Sequence, residues 1–135
     1  MAEDRLIEAA MAAREKSYSP YSGFAVGCAI ESASGEIALG ANMENASYPL
    51  GVCAEQAALA AAQQAFGLDN VVRMAIVGGP KGAELVAITP CGGCRQAIAE
   101  AATVAGYDIA VIGRDGEGNL SETCISKLLP GWFTF

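Results

Sequence analysis

Apolar positions recur with a helical period over residues 4–17, where Leu6, Ile7, Ala10, Met11 and Ala13 share one side and Glu3, Arg14 and Lys16 lie off it. The run SerTyrSerProTyrSerGly at 17–23 breaks that period. Residues 24–31 and 37–41 are short apolar stretches separated by AlaSerGly at 33–35, which predicts a hairpin. A loop follows over 42–51. The strongest helix signal lies at 53–66, a stretch dense in alanine and free of glycine, proline and β-branched residues, with Gly67 as its stop. Strands are predicted over 72–77, 85–88 and 109–112. A helix is predicted over 92–105, opened by Pro90 and closed by Gly106. Past a polar turn at 113–119, a short helix is expected around 124–129. Strands alternating with helices predict an α/β domain whose sheet is covered on both faces. No repeat, linker or low-complexity tract divides the 135 residues, so 1–135 reads as a single domain.

Charge narrows the partners. Eight Lys and Arg against fifteen Asp and Glu give a formal charge of −7, which repels phosphate and argues against nucleic acid or an anionic membrane surface. The chain has no histidine, which removes Ser/His/Asp and Cys/His nucleophilic machinery and every zinc site that needs imidazole. A metal here must be held by sulfur or oxygen. Five cysteines, an odd number in a chain that is 53% hydrophobic, do not form the framework of a small disulfide-stapled domain. Residues 1–16 carry early acidic residues and no continuous apolar stretch, unlike a signal peptide or a membrane span. The expectation is a soluble, cytoplasmic protein.

Cysteine placement carries the chemistry. Cys91 and Cys94 form ProCysGlyGlyCys at a predicted helix start, and Cys53 opens the other strong helix. Free N–H groups and the positive end of the helix dipole favour thiolates, the form that binds zinc. A Cys-x-x-Cys pair alone fits a redox pair as well as a metal site. Three sulfur ligands with a fourth position left for water is the stoichiometry of catalytic zinc, whereas structural sites recruit a fourth protein ligand. Glu55, two residues past Cys53, puts a carboxylate in the first turn, within reach of a proton on that water. Cys-x-Glu beside a distant Pro-Cys-x-x-Cys is the signature of zinc-dependent base deaminases, with the glutamate as general acid/base. Cys28 and Cys124 sit among apolar neighbours and read as small buried hydrophobes. Judged alone, Phe24 reads as core, and Asn42 and Glu44 as a turn with a solvated charge.

Together the segments 17–27 (SerTyrSerProTyrSerGlyPheAlaValGly), 42–48 (AsnMetGluAsnAlaSerTyr), 53–55 (CysAlaGlu), 90–96 (ProCysGlyGlyCysArgGln) and 128–130 (LeuLeuPro) resemble the small cytidine deaminases over nearly the whole chain. The resemblance implies a three-layer α/β/α fold with a mixed five-stranded sheet, a homotetramer and hydrolytic deamination of cytidine and deoxycytidine in pyrimidine salvage. It implies one Zn2+ per chain on Cys53, Cys91 and Cys94, with Glu55 shuttling protons. Phe24 would pack on the pyrimidine, Asn42 and Glu44 would bind the ribose hydroxyls, and the backbone at Ala54 would read the base edge. Phe133 would close a neighbouring subunit's pocket. One departure stands out: three-cysteine members commonly carry Arg after CysAlaGlu, where this chain has Gln56. Three thiolates around a divalent cation sum to −1, and Arg95, the nearest cation in sequence, is expected to take a larger share of offsetting it. The rival readings are a deaminase of another small aminopyrimidine and a non-catalytic zinc or redox module.

Overall fold

In the computed structural model, which describes residues 2–135, strands β1 (Phe24–Ser32) and β3 (Val71–Pro80) lie side by side in the sheet and pair antiparallel along almost their whole length. The sheet runs β2-β1-β3-β4-β5, with β2 spanning Ile37–Ala41, β4 Ala110–Arg114 and β5 Leu120–Cys124. Every neighbouring pair is antiparallel except β3 and β4, so the sheet is mixed, as expected. Parallel neighbours need a long crossover. Here it contains α3 (Gly92–Ala105), the helix that carries Cys94.

Helix α1 (Ala2–Arg14) covers one face, with Leu6, Ile7 and Ala10 packed against Ala29, Ala75, Val77 and Ile112. On the opposite face, α2 (Ala54–Ala65) and α3 pack Ala58, Leu59, Ile98 and Ala102 against Cys28, Ile30, Met74, Ile76 and Val111. Side chains alternate faces along a strand, so Cys28 and Ile30 point one way and Ala29 the other. Both faces are buried, which is why these strands read as continuous apolar runs.

Two glycines set how closely helices approach the sheet. A Cβ at Gly27 would stand 2.0 Å from the Ala10 carbonyl of α1, and one at Gly40 would stand 2.3 Å from the Ala58 nitrogen and 2.7 Å from the Ala54 carbonyl of α2.

The predicted strand at 85–88 is corrected. That segment makes only one bridge, the Val86 N–H donating to the Gly78 carbonyl at 2.8 Å, on the stretch of β3 beyond its pairing with β4. The fifth strand is instead β5, which lies between the turn predicted at 113–119 and the helix predicted around 124–129 and was given no element. Its LeuSerGluThrCys sequence is polar because it is an exposed edge paired on one side only. The polar turn before it closes on Asp115, whose Oδ1 accepts the N–H groups of Glu117 and Asn119, each at 2.9 Å. The predicted short helix is α4 (Ile125–Leu128). Cys28 is buried as expected, but Cys124 is half-buried, with its sulfur 3.4 Å from the Ser126 hydroxyl.

Candidate active site

Two helix starts build the site. Cys53 is the N-cap residue of α2 in extended conformation (φ −74°, ψ 153°), and Cys91 caps α3 in the same way (φ −67°, ψ 169°). Cys94 follows in the first turn of α3 and is buried. Upstream of Cys53, Val52 and Met43 exchange both backbone hydrogen bonds at 2.9 Å, tying the 42–52 loop to the start of α2. The three sulfur atoms all lie within 4.8 Å of one another. Tetrahedral zinc with sulfur at ~2.3 Å holds its ligand atoms about 3.8 Å apart, so the cluster has the spacing and the chemistry for that ion.

Burial and the helix ends pull the thiols in opposite directions. Cys91, at the surface, is held below the usual thiol range first by the Cys94 N–H and then by the Cys94 and Cys53 thiols and the Gly93 N–H. Cys53 and Cys94 are pushed up by burial, Cys94 strongly. The expectation that both helix starts would favour thiolates therefore holds for Cys91, while desolvation wins at the other two. Zinc coordination deprotonates a thiol outright, so a bound ion would override the effect of burial at Cys53 and Cys94.

Glu55 is buried in the first turn of α2, and burial raises its carboxyl above the usual range against opposing bonds from its own N–H and the Cys94 thiol. A buried carboxyl with a raised pKa beside a metal-ligand set has the profile of a general acid/base. Ala54, between Cys53 and Glu55, is fully buried. Gln56 reaches back, its Nε2 donating to the Cys94 sulfur at 3.7 Å. Arg95 does not. Its Nε donates to the Pro90 carbonyl at 2.8 Å, Nη1 to the Leu128 carbonyl at 2.9 Å and Nη2 to the Thr89 hydroxyl at 3.3 Å. Arg95 thus makes no hydrogen bond to a ligand sulfur among the described residues, whereas Gln56 does.

Residues 42–44 are pinned from both sides. Asn42 Oδ1 accepts from the Val26 N–H at 2.9 Å and the Ser17 hydroxyl at 2.5 Å, and its Nδ2 donates to the Phe24 carbonyl at 2.9 Å. Glu44 Oε1 accepts the N–H groups of Tyr21 and Ser22 at 2.9 and 3.1 Å, and Oε2 accepts the Ser22 hydroxyl. That hydroxyl, first among these donors, holds the Glu44 carboxyl below the usual range. Glu44 lines a cavity of about 270 Å³ with Tyr21, Ser22, Asn45, Tyr48 and Gly51, the last two residues ahead of Cys53. Tyr21 and Tyr48 were assigned no role from sequence. Their rings stand 6.1 Å apart over this cavity, and the available signal was two aromatics in serine-rich loops. Phe24 is half-buried, its ring over Gly78 beside Val26 and Ile88. At the other end of the chain Trp132 docks on α3 through Nε1 to the Thr103 hydroxyl at 3.1 Å. Phe133 is exposed and meets Phe135 edge-on, so the chain does not bury it.

A mixed five-stranded sheet presenting three thiols and a buried glutamate at two helix starts defines an α/β protein with a candidate catalytic zinc site. Residues 1–107 match the family model described as the cytidine and deoxycytidylate deaminase zinc-binding region. A cytidine deaminase of Halalkalibacterium halodurans is 42% identical over 134 residues, covering 99% of this chain and 96% of the relative. One of Sporosarcina psychrophila is 37% identical over 131 residues, covering 97% and 90%. The crystal structure of a Burkholderia pseudomallei cytidine deaminase superposes with a TM-score of 0.83 at 38% identity, covering 98% of this chain and all of the other. The chain belongs to the cytidine deaminase family.

Proposed function

We propose that this chain hydrolyses cytidine and deoxycytidine to uridine and deoxyuridine, releasing ammonia. The observation that carries the reading is the convergence of three sulfurs from two remote stretches of chain beside a buried carboxyl whose pKa is raised. Cys53, Cys91 and Cys94 would hold one zinc ion per chain, which supplies a water acidic enough to act as a nucleophile near neutral pH. Glu55 would be the group that moves a proton from the attacking water to ring N3. The same carboxyl then carries a proton to the departing amine, so one residue serves every transfer. Its burial suits this work, because a carboxyl with a raised pKa holds a proton more readily on the way between donor and acceptor.

The pyrimidine would lie against Phe24, with its edge read by the backbone at Ala54. Asn42 and Glu44 would take the ribose hydroxyls, and their existing bonds to 17, 21, 22 and 26 hold both side chains in place beforehand. Phe133 and Phe135, exposed at the chain end, suit a role at the neighbouring subunit's pocket in a homotetramer. A metal site that needs reduced sulfur fits a cytoplasmic enzyme of pyrimidine salvage, and residues 1–135 would form its one catalytic domain.

The test is ultraviolet-monitored conversion of cytidine by metal-analysed protein, with Glu55→Gln alongside. About one zinc per chain is expected in both proteins, with turnover in the variant reduced at least about 10²-fold. A variant as active as the parent would remove Glu55 from the reaction.

A further inference from the structure

We propose that Arg95 is a positioning residue of the metal site: its guanidinium bridges the ligand loop and the end of α4, and thereby sets where Cys91 stands. The inference rests on the reading that the three cysteines hold zinc.

Cys91 is the exposed member of the cluster. Among the described residues, 87–90 make no backbone-to-backbone hydrogen bond, so sheet pairing does not hold the chain where it enters α3. Arg95 does. It sits one residue past Cys94, on the first turns of α3, and from there binds the Pro90 carbonyl, directly before Cys91, and the Thr89 hydroxyl. A third donor goes to the carbonyl of Leu128, at the last residue of α4, 33 positions away in sequence. No ion pair to Arg95 occurs among the described residues, so its charge is spent on neutral oxygens.

Those contacts ask for a fork and not merely for a cation. The guanidinium presents its donors in one rigid plane and can span two carbonyls at fixed separation, whereas a lysine ammonium is a single point on a flexible stem. Partners of this kind, one step removed from the ligands, typically change metal affinity about ten- to hundredfold when lost.

The experiment follows zinc transfer to a chelating dye from the wild-type protein, Arg95→Lys and Arg95→Gln, and records the sulfur-to-metal charge-transfer absorption of the cobalt-substituted forms. Circular dichroism of each metal-free protein checks the fold. Both variants are expected to release zinc about ten- to hundredfold faster and to lose charge-transfer intensity per cobalt, as one thiolate disengages. Retention by Arg95→Lys with loss in Arg95→Gln would overturn the inference, because charge and not geometry would then be the cause. Wild-type behaviour in both variants would overturn it too. A wild-type protein that takes up no zinc refutes the metal site itself, and the inference with it. If the Arg95 variants do not fold, Thr89→Val, which removes one acceptor, decides: a several-fold faster release supports the role, and unchanged release overturns it.

Discussion

Asp108 does for α4 what its own N-cap residue does not. The helix begins after Cys124, whose side chain makes no capping bond, and Asp108 supplies the acceptors from a distant position: Oδ1 takes the Ser126 N–H at 3.0 Å and Oδ2 the Ser126 hydroxyl at 2.5 Å. The Ser126 hydroxyl is the main reason the Asp108 carboxyl lies below the usual range. A carboxyl lowered by folding contributes stability that is complete above its unfolded value of ~3.9 and fades as pH falls through the folded one. Asp108→Asn should therefore unfold at lower urea than wild type at pH 7 and pH 5, by no more than about 1 kcal/mol given its exposure. At pH 3 and below the gap should narrow. A gap unchanged by acid would mean that the charge contributes nothing. Contacts of this sort were illegible in the sequence, and the same limit explains Arg95 and Gln56. Adjacency to a ligand says which residue is near, but the side-chain rotamer decides where its donors point, and only the packed structure fixes that rotamer.

Elements were legible wherever burial imposed a pattern. The two-face burial of β1 and β3 writes apolar runs into 24–31 and 72–77, and the alanines that let α2 and α3 lie close to the sheet write the helix signals at 53–66 and 92–105. The mostly exposed β5 lacks that imprint, which is why it was missed, and the 85–88 segment was overrated because Leu85 and Ile88 pack on the core without pairing into the sheet beyond one bridge. The zinc ligands and Glu55 were readable because their chemistry demands particular residue types at short spacings. The cavity lined by Tyr21 and Tyr48 depends on loop–loop contact, which spacing does not encode. Gly27 and Gly40 offer a test of which helix matters to the site. Both lie where a Cβ would strike helix backbone, so Gly27→Ala and Gly40→Ala should each destabilise the fold by about 1–3 kcal/mol. The consequences should then diverge. At Gly40 the strike falls on α2 between Ala54 and Ala58, the turn that follows Cys53 and carries Glu55, so this variant should also bind zinc more weakly. Gly27→Ala presses on α1, on the far face of the sheet, and should keep zinc affinity at the wild-type level in titrations against a competing chelator. Equal loss in both would mean that helix placement is not transmitted selectively to the ligands.

Across the whole molecule, the apolar clusters lie on both faces of the sheet, and of the three ligand cysteines only Cys94 is buried. A chain of 135 residues can bury about two thirds of its surface, which is enough for a core to hold without metal. Zinc binding to the folded state alone still adds stability by mass action, about 2.7 kcal/mol when free zinc is a hundredfold above the dissociation constant. For a domain of this size that corresponds to a rise in Tm of about 10 °C. Removing the ion with a strong chelator should therefore abolish cytidine turnover and lower Tm by that order, while the far-ultraviolet circular dichroism at 25 °C stays unchanged. Readdition of zinc under reducing conditions should restore activity, because the three thiols are presented by helix starts that the core holds in place whether or not the ion is there. Collapse of the helical signal on chelation, as in a zinc finger, would show instead that the metal and not the sheet organises α2 and α3.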